Sequence, residues 1–162
     1  MAKRSAGSVQ IKLNKSDVRR FTNFLGNFTP EMIAASKRGV GKAAARGVER
    51  INKTIQGREF AANKASTIKR KGSDIPLIGK TGALAKSISF SVLGPFEAQV
   101  GVMKNTHTDN IAEILHNGAT VTRGNSTYRI VPRPFIQRTF ENQTYVDEIK
   151  LIWFKEMEKV IG

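Results

Sequence analysis

The segment TPEMIAASKRGVGKAAARGVERINKTIQ, residues 29–56, decides how the chain is built. Thr29 is a favoured N-cap, Pro30 suits the first helical position and Glu31 lies near the positive end of the backbone dipole, so a long helix is predicted from here to about Gln56. At about 100° per residue, Ile33, Val40, Ala44, Val48, Ile51 and Ile55 fall within about 80° of one another, a coherent stripe for burial. The opposite side is basic: Arg38, Lys42, Arg46 and Arg50 recur every four residues, with Lys53 close by. Like charges at that spacing cost a few tenths of a kcal/mol per pair, so the pattern points to an anionic partner, unless the long side chains simply splay into water. Ala35, Gly39, Ala43 and Gly47 form a third stripe of small residues. Each Gly costs a helix interior about 1 kcal/mol relative to Ala, which predicts close approach of another backbone, read here as subunit packing.

Upstream, Val9, Ile11 and Leu13 alternate with polar residues, the period of a short strand, and a short helix is expected over Asp17–Leu25. Residues 1–28 thus read as an arm or a short strand and helix, and residues 29–162 as a single domain. Downstream, Gly57 and Gly72 bracket a second predicted helix, Arg58 to Lys71, which ends in Lys69, Arg70 and Lys71. Cations in a last turn suit the helix dipole as well as they suit a phosphate. Residues 72–80 read as a loop. From Ser87 the period becomes two: Ile88, Phe90 and Val92, then Ala98, Val100 and Val102 beyond Gly94-Pro95, predict a hairpin. Ile111, Ile114 and Leu115 have helical spacing, with Gly118 as C-cap. Thr120–Thr122 and Thr127–Val131 flank Arg123-Gly124-Asn125-Ser126 as a second hairpin. Phe135, Phe140, Val146, Ile149, Ile152, Trp153, Met157 and Val160 predict a C-terminal helix, broken near Asn142. The fold class is therefore α+β: long N-terminal helices, a small and mainly antiparallel sheet built from hairpins, and a C-terminal helix.

At 162 residues the chain can bury roughly 68–70% of its unfolded surface without staples. It has no cysteine, which excludes disulfides and thiolate metal sites. No stretch approaches the roughly 18 apolar residues of a membrane span, and no secretory signal is expected. The net charge of +14 is unevenly placed: residues 1–86 hold 19 Lys or Arg against 5 acids, whereas residues 87–162 hold 8 of each. Such asymmetry suggests one surface facing an anion and another facing protein or solvent.

Catalytic motifs are only approached. Gly79-Lys80-Thr81 matches the end of a P-loop, but Asp74 stands where its first glycine belongs, and Gly39-Val40-Gly41-Lys42 lies inside the predicted helix with Ala43 in place of a hydroxyl. Glu113 and His116 have the spacing of half a di-metal site, and the chain has one other histidine, His107. No catalytic residue, metal ligand or cofactor site is assigned. The basic half has few aromatics between its cations, so contact with nucleic acid would be salt-sensitive and sequence-independent.

Three phrases in fixed order remain: Thr81-Gly82-Ala83-Leu84-Ala85-Lys86-Ser87-Ile88, Ala112-Glu113-Ile114-Leu115-His116-Asn117-Gly118, and Val131-Pro132-Arg133-Pro134-Phe135. Their order and spacing resemble the tail-completion, or virion-morphogenesis, proteins of long-tailed bacteriophages, including those similar to lambda minor tail protein Z. Members usually carry an aromatic just before the alanine of the second phrase, where this chain has Asn110-Ile111, and the third phrase is shifted by one proline. The resemblance implies a non-enzymatic protein of the virion, at the head–tail junction after assembly in the host cytoplasm. It also implies a ring of about six copies, with neighbouring neck and tail proteins as partners. Arg38, Lys42, Arg46, Arg50, Lys53, Lys69, Arg70 and Lys71 would then face DNA in the lumen, and charge reversal along the helix would impair joining without unfolding the protein. A tail terminator, a head-closure protein and a free nonspecific nucleic-acid-binding protein are the alternatives.

Overall fold

The computed structural model describes residues 8–12, 15–16, 18–20, 29–102 and 107–161. In chain order the elements are β1 (Ser8–Lys12), α1 (Pro30–Gln56), α2 (Ala65–Lys71), α3 (Ala83–Ser87), β2 (Ile88–Gly94), β3 (Glu97–Val102), α4 (His107–Asn117), β4 (Ala119–Arg123), β5 (Ser126–Ile130), α5 (Phe135–Phe140) and α6 (Gln143–Ile161). The class is α+β, as the periodicities predict. Among the described residues the strands form two antiparallel sheets, one of three strands in the order β1-β3-β2 and one of β4 and β5. Residues 15–16 and 18–20 are helical, while Asp17 and residues 21–25 of the helix expected there lie outside the described residues.

Helix α1 is the axis of the molecule. The Thr29 hydroxyl accepts a hydrogen bond from the Met32 N–H at 3.3 Å, satisfying one donor of the open first turn. At the other end the Gly57 N–H donates to Thr54 O at 3.2 Å. One flank of α1 packs on β2 and β3, and another makes the most extensive helix–helix interface among the described residues, with α6. Val40, Ala44, Ile51 and Ile55 are buried as expected, and full burial of each isoleucine stabilises the fold by about 1.5–3 kcal/mol. Ile33 is not buried; it is 43% exposed. Met32, about 100° round the helix on the arc that carries Ser36 and Gly39, is buried instead, so the first turn is covered from the α6 side.

The small stripe explains how α6 comes so close. Ala35, Gly39, Ala43 and Gly47 are all buried within the chain, so the subunit packing expected of them is corrected: the backbone they admit is that of α6. A Cβ placed on Gly39 would lie 3.0 Å from Trp153 Cδ1 and 3.2 Å from Trp153 Cα, and one on Gly47 would lie 3.0 Å from Tyr145 Oη. The interface also carries a buried relay. Trp153 Nε1–H donates to Ser36 Oγ at 2.9 Å, and that hydroxyl donates to Pro95 O at 2.6 Å. One serine therefore links α6, α1 and the β2–β3 turn, and leaves none of the three buried groups unmatched.

In the larger sheet Ile88 pairs with Val102, Phe90 with Val100 and Val92 with Ala98, the register set by the apolar alternation. Helix α3 follows the expected pattern, with Leu84 and Ile88 buried and Ser87 Oγ donating to Leu84 O at 2.7 Å. Two elements differ from expectation. Helix α2 spans only Ala65–Lys71, because residues 58–64 are held out of a helix by tertiary bonds: Arg133 donates to Ala61 O and to Asn63 Oδ1, and the Asn63 amide reaches the carbonyls of Ile75 and Pro76. Helix α4 buries Ala112, while Ile111 and Ile114 remain about 40% exposed, since the small side chain gives the closer approach. Gly118 ends α4 with φ of 73°, and a Cβ there would lie 2.7 Å from Ile130 O.

The glycines of α1 give a direct test. A Cβ on Gly41 would meet only Val92 Cγ2, at an ordinary 3.6 Å, so Gly41→Ala should raise stability by about 0.5–1 kcal/mol through backbone entropy. Gly39→Val should lower it by about 1–3 kcal/mol or more, because the Trp153 backbone cannot yield as a flexible side chain would. Chemical denaturation of the two variants measures both signs.

Candidate functional site

The basic stripe of α1 lies along the α1–α6 interface, and the anions that face it come from α6. Glu156 receives Lys42 Nζ at 2.6 Å and Lys159 Nζ at 2.5 Å, with Arg38 Nε at 3.7 Å. Two turns earlier on the same face, Glu148 receives Arg46 Nε at 2.7 Å and Arg50 Nη2 at 2.7 Å. Arg46 also pairs with Glu49 on its own helix. Five cations thus face three carboxylates, which leaves the seam at +2. The like charges repeated every four residues, unfavourable in an isolated helix, become a clasp once α6 is in place.

The electrostatics follow from this geometry. The Glu156 side chain is only 6% exposed, and hydrogen bonds from Lys159 and then Lys42 hold its pKa at about 2, against an ordinary 4.5. Glu148 is lowered in the same direction, first by Arg50 and then by Arg46. Tyr145 closes this end of the seam, its ring 5.8 Å beneath the Arg50 guanidinium. Burial raises its pKa, and its Oη has no hydrogen-bond partner among the described residues.

The geometry alters what charge reversal along α1 would do. Acidic side chains at 38, 42, 46 and 50 would be set against Glu148 and Glu156, so the fold would be destabilised together with any DNA contact. The other candidate cations are placed differently. Lys53 is exposed at the rim of a cavity of about 530 Å³ between α1, α5 and α6, whose lining includes Glu59, Arg138 and Glu141. Lys69 and Arg70 are exposed on the last turn of α2. Lys71 is folded back instead, with Nζ donating to Pro76 O at 2.9 Å, and burial next to Arg133 lowers its pKa.

A second convergence involves the three phrases. Leu84, Ala112 and Phe135, one from each, belong to a single apolar core. The Arg133 N–H donates to Leu115 O at 2.7 Å, tying the third phrase to the second. The His116 ring meets Phe135 edge-on with centroids 5.9 Å apart, and Gly118 lies under Pro132. His116 is half-buried and burial lowers its pKa, while Glu113 points to solvent. Among the described residues no three His, Asp or Glu side chains gather as metal ligands. Gly79-Lys80-Thr81 lies in a pair of tight turns, closed by Ile78 N–H to Ile75 O and Gly82 N–H to Gly79 O and anchored by buried Leu77. Gly39-Val40-Gly41-Lys42 lies within α1, with Lys42 engaged by Glu156.

Glu148, Glu156, Tyr145 and Ser36 were not singled out from the sequence. A signal for the acids was present: Glu148 and Glu156 stand two turns apart beside Ile149, Trp153 and Met157, the complement of four cations at the same pitch. No described helix is long and apolar enough to cross a membrane. No family model, curated protein or solved structure matches the chain.

Two measurements probe the seam. Because the Glu156 pKa is depressed in the folded state, the stability it contributes is fully present above about pH 4.5 and is lost as pH falls towards about 2. The stability gap between wild type and Glu156→Gln should therefore be widest near neutrality and close over that interval in acid-unfolding curves. Tyr145→Phe removes an unpaired buried hydroxyl and should be neutral or stabilising, whereas Tyr145→Ala should cost about 3–5 kcal/mol by thermal denaturation.

Proposed function

We propose that this chain is a structural virion protein of a long-tailed bacteriophage, which completes the tail and joins it to the DNA-filled head as part of a ring at the neck. The observation that carries the reading is the convergence of the three phrases. They lie up to about fifty residues apart, yet Leu84, Ala112, Leu115, Gly118, Pro132 and Phe135 meet in one junction from which the β4–β5 hairpin projects. Residues that form a family resemblance and also share one packing unit are explained by a common architecture more simply than by three separate coincidences. The α+β arrangement agrees with what the resemblance implies.

In this reading the partners are further copies of the chain, neighbouring neck and tail proteins, and DNA in the lumen. The cations best placed for DNA are Lys53, Lys69 and Arg70, together with the residual +2 of the α1–α6 seam. A free nonspecific nucleic-acid-binding protein is the second reading, favoured by the pI near 10.5. It requires the isolated protein to bind arbitrary duplex tightly, with affinity falling steeply as salt rises.

Electron microscopy of particles assembled without this protein distinguishes the two. Separate, DNA-filled heads and finished tails are the expected result. Overlong tails would reassign the chain as a terminator, and normal virions would remove the virion role altogether.

A further inference from the structure

Lys71, at the end of α2, and Arg133, in the third phrase, meet at one corner of the fold. Lys71 Nζ donates to Ile75 O at 3.4 Å and to Pro76 O at 2.9 Å, and Asn63 Nδ2 reaches the same two carbonyls at 3.4 Å each. The other end of that carboxamide, Asn63 Oδ1, accepts from Arg133 Nη2 at 3.1 Å, and Nη2 also donates to Ala61 O at 3.3 Å. The two positive groups therefore stand on either side of a single side chain. Both residues are half-buried, and every acceptor that holds them is neutral.

Neutral acceptors position the cations without cancelling their charge. Among the described residues neither is paired with a carboxylate: the two acids of this part of the chain are engaged elsewhere, Asp74 by Arg58 at 2.7 Å and Glu59 by Arg138 at 3.9 Å. Burial lowers the pKa of both cations, and the Arg133 charge lowers that of Lys71 further. Two like charges held together in a partly desolvated corner repel, and an anion beside both replaces that repulsion with attraction. Donors remain for it: Arg133 Nη1 donates to nothing among the described residues and, unlike the buried Nε, is not enclosed.

The surroundings decide which anion. Residues 58–86 hold seven Lys or Arg against two acids, and both acids are in the ion pairs just named. Lys64, Lys69, Arg70, Lys80 and Lys86 are exposed and unpaired among the described residues. A single protein carboxylate would answer the corner alone, whereas a run of phosphates answers the corner and the exposed cations of the same segment. The planar fork of an arginine also matches phosphate oxygens. The one aromatic of the segment, Phe60, packs against the core, so no stacking platform for unpaired bases accompanies the cations, which favours a duplex. We propose that Lys71 and Arg133 together bind one backbone phosphate of duplex DNA, with Lys69 and Arg70 of the same helical turn on neighbouring phosphates. Such contacts place the duplex across α2 and the third phrase without reading its sequence. That the phosphate is DNA's rests on the reading above; the unanswered cation pair does not.

The test titrates the whole protein onto a short duplex of arbitrary sequence, by fluorescence anisotropy, between about 50 and 200 mM salt. Lys71→Gln and Arg133→Gln should each weaken binding about 10-fold at the low-salt end and make the plot of log affinity against log salt shallower by about 0.9. Lys155→Gln removes the same charge from an exposed position on α6 and should leave the slope unchanged. In the unaltered protein the duplex should slow acetylation of Lys71 relative to Lys155, read by peptide mass spectrometry, a measurement that depends on no variant folding. Absence of duplex binding at low salt, equal slopes for wild type and Lys71→Gln, equal losses for Lys71→Gln and Lys155→Gln, or no protection of Lys71 would overturn the proposal. Tighter binding of polyglutamate than of duplex would overturn it too, by making the partner an acidic protein. A Lys71-dependent slope in a protein whose loss leaves virions normal would keep the phosphate site and remove the virion role, whereas separated heads and tails with an unchanged slope would do the reverse.

Discussion

The structure depends on how closely α6 can approach α1. Gly39 and Gly47 set that distance: at both positions even one additional carbon would press on α6, in one case on its backbone. Once the helices are that near, Trp153 reaches Ser36, Ser36 reaches the β2–β3 turn, and the two glutamates of α6 come within range of the cations on α1. Each of these contacts presupposes the others. A wider spacing would leave a buried indole N–H without a partner and separate Glu156 from Lys42, so the glycines determine the polar contacts as well as the packing.

This arrangement changes the meaning of the uneven charge. An N-terminal half holding the whole excess, beside a neutral C-terminal half, resembles a division between a DNA-facing and a protein-facing part. In the folded chain the halves are in direct contact, and much of the positive charge of α1 is used to hold α6. What remains for an external anion is the excess at the seam and exposed cations elsewhere in the first half, among them Lys37, Lys53, Lys69, Arg70, Lys80 and Lys86. The face of α6 turned away from α1 keeps Leu151, Phe154 and Ile161 exposed.

Much of the architecture was legible because local chemistry and tertiary packing agree. Thr29, Pro30 and Gly57 delimit α1, the alternation from Ile88 to Val102 sets the hairpin register, and the break near Asn142 separates α5 from α6. Where they disagree, tertiary packing wins. Ile33 has the right angle but the wrong cover, and residues 58–64 have helical composition but give their polar groups to Arg133 and to the loop at 75–76. The basic stripe and the small stripe were both visible, as was the need for a partner at each. Their partners lie about a hundred positions away, and helical periodicity carries no information about which distant segment will answer it.

That separation governs when the fold can form. Arg46 and Glu148 are 102 residues apart, Lys42 and Glu156 are 114, and Ser36 and Trp153 are 117. Contacts this far apart in sequence form slowly, since a long loop must close before any of them stabilises the chain. On a ribosome adding about 5–20 residues per second, α1 would wait for roughly 5–20 seconds after its own synthesis before α6 exists to cover it. Through that interval a helix with three interior glycines and a stripe of four unanswered positive charges gains little from forming, so the domain matures only once α6 has been made, with that helix as the closing piece.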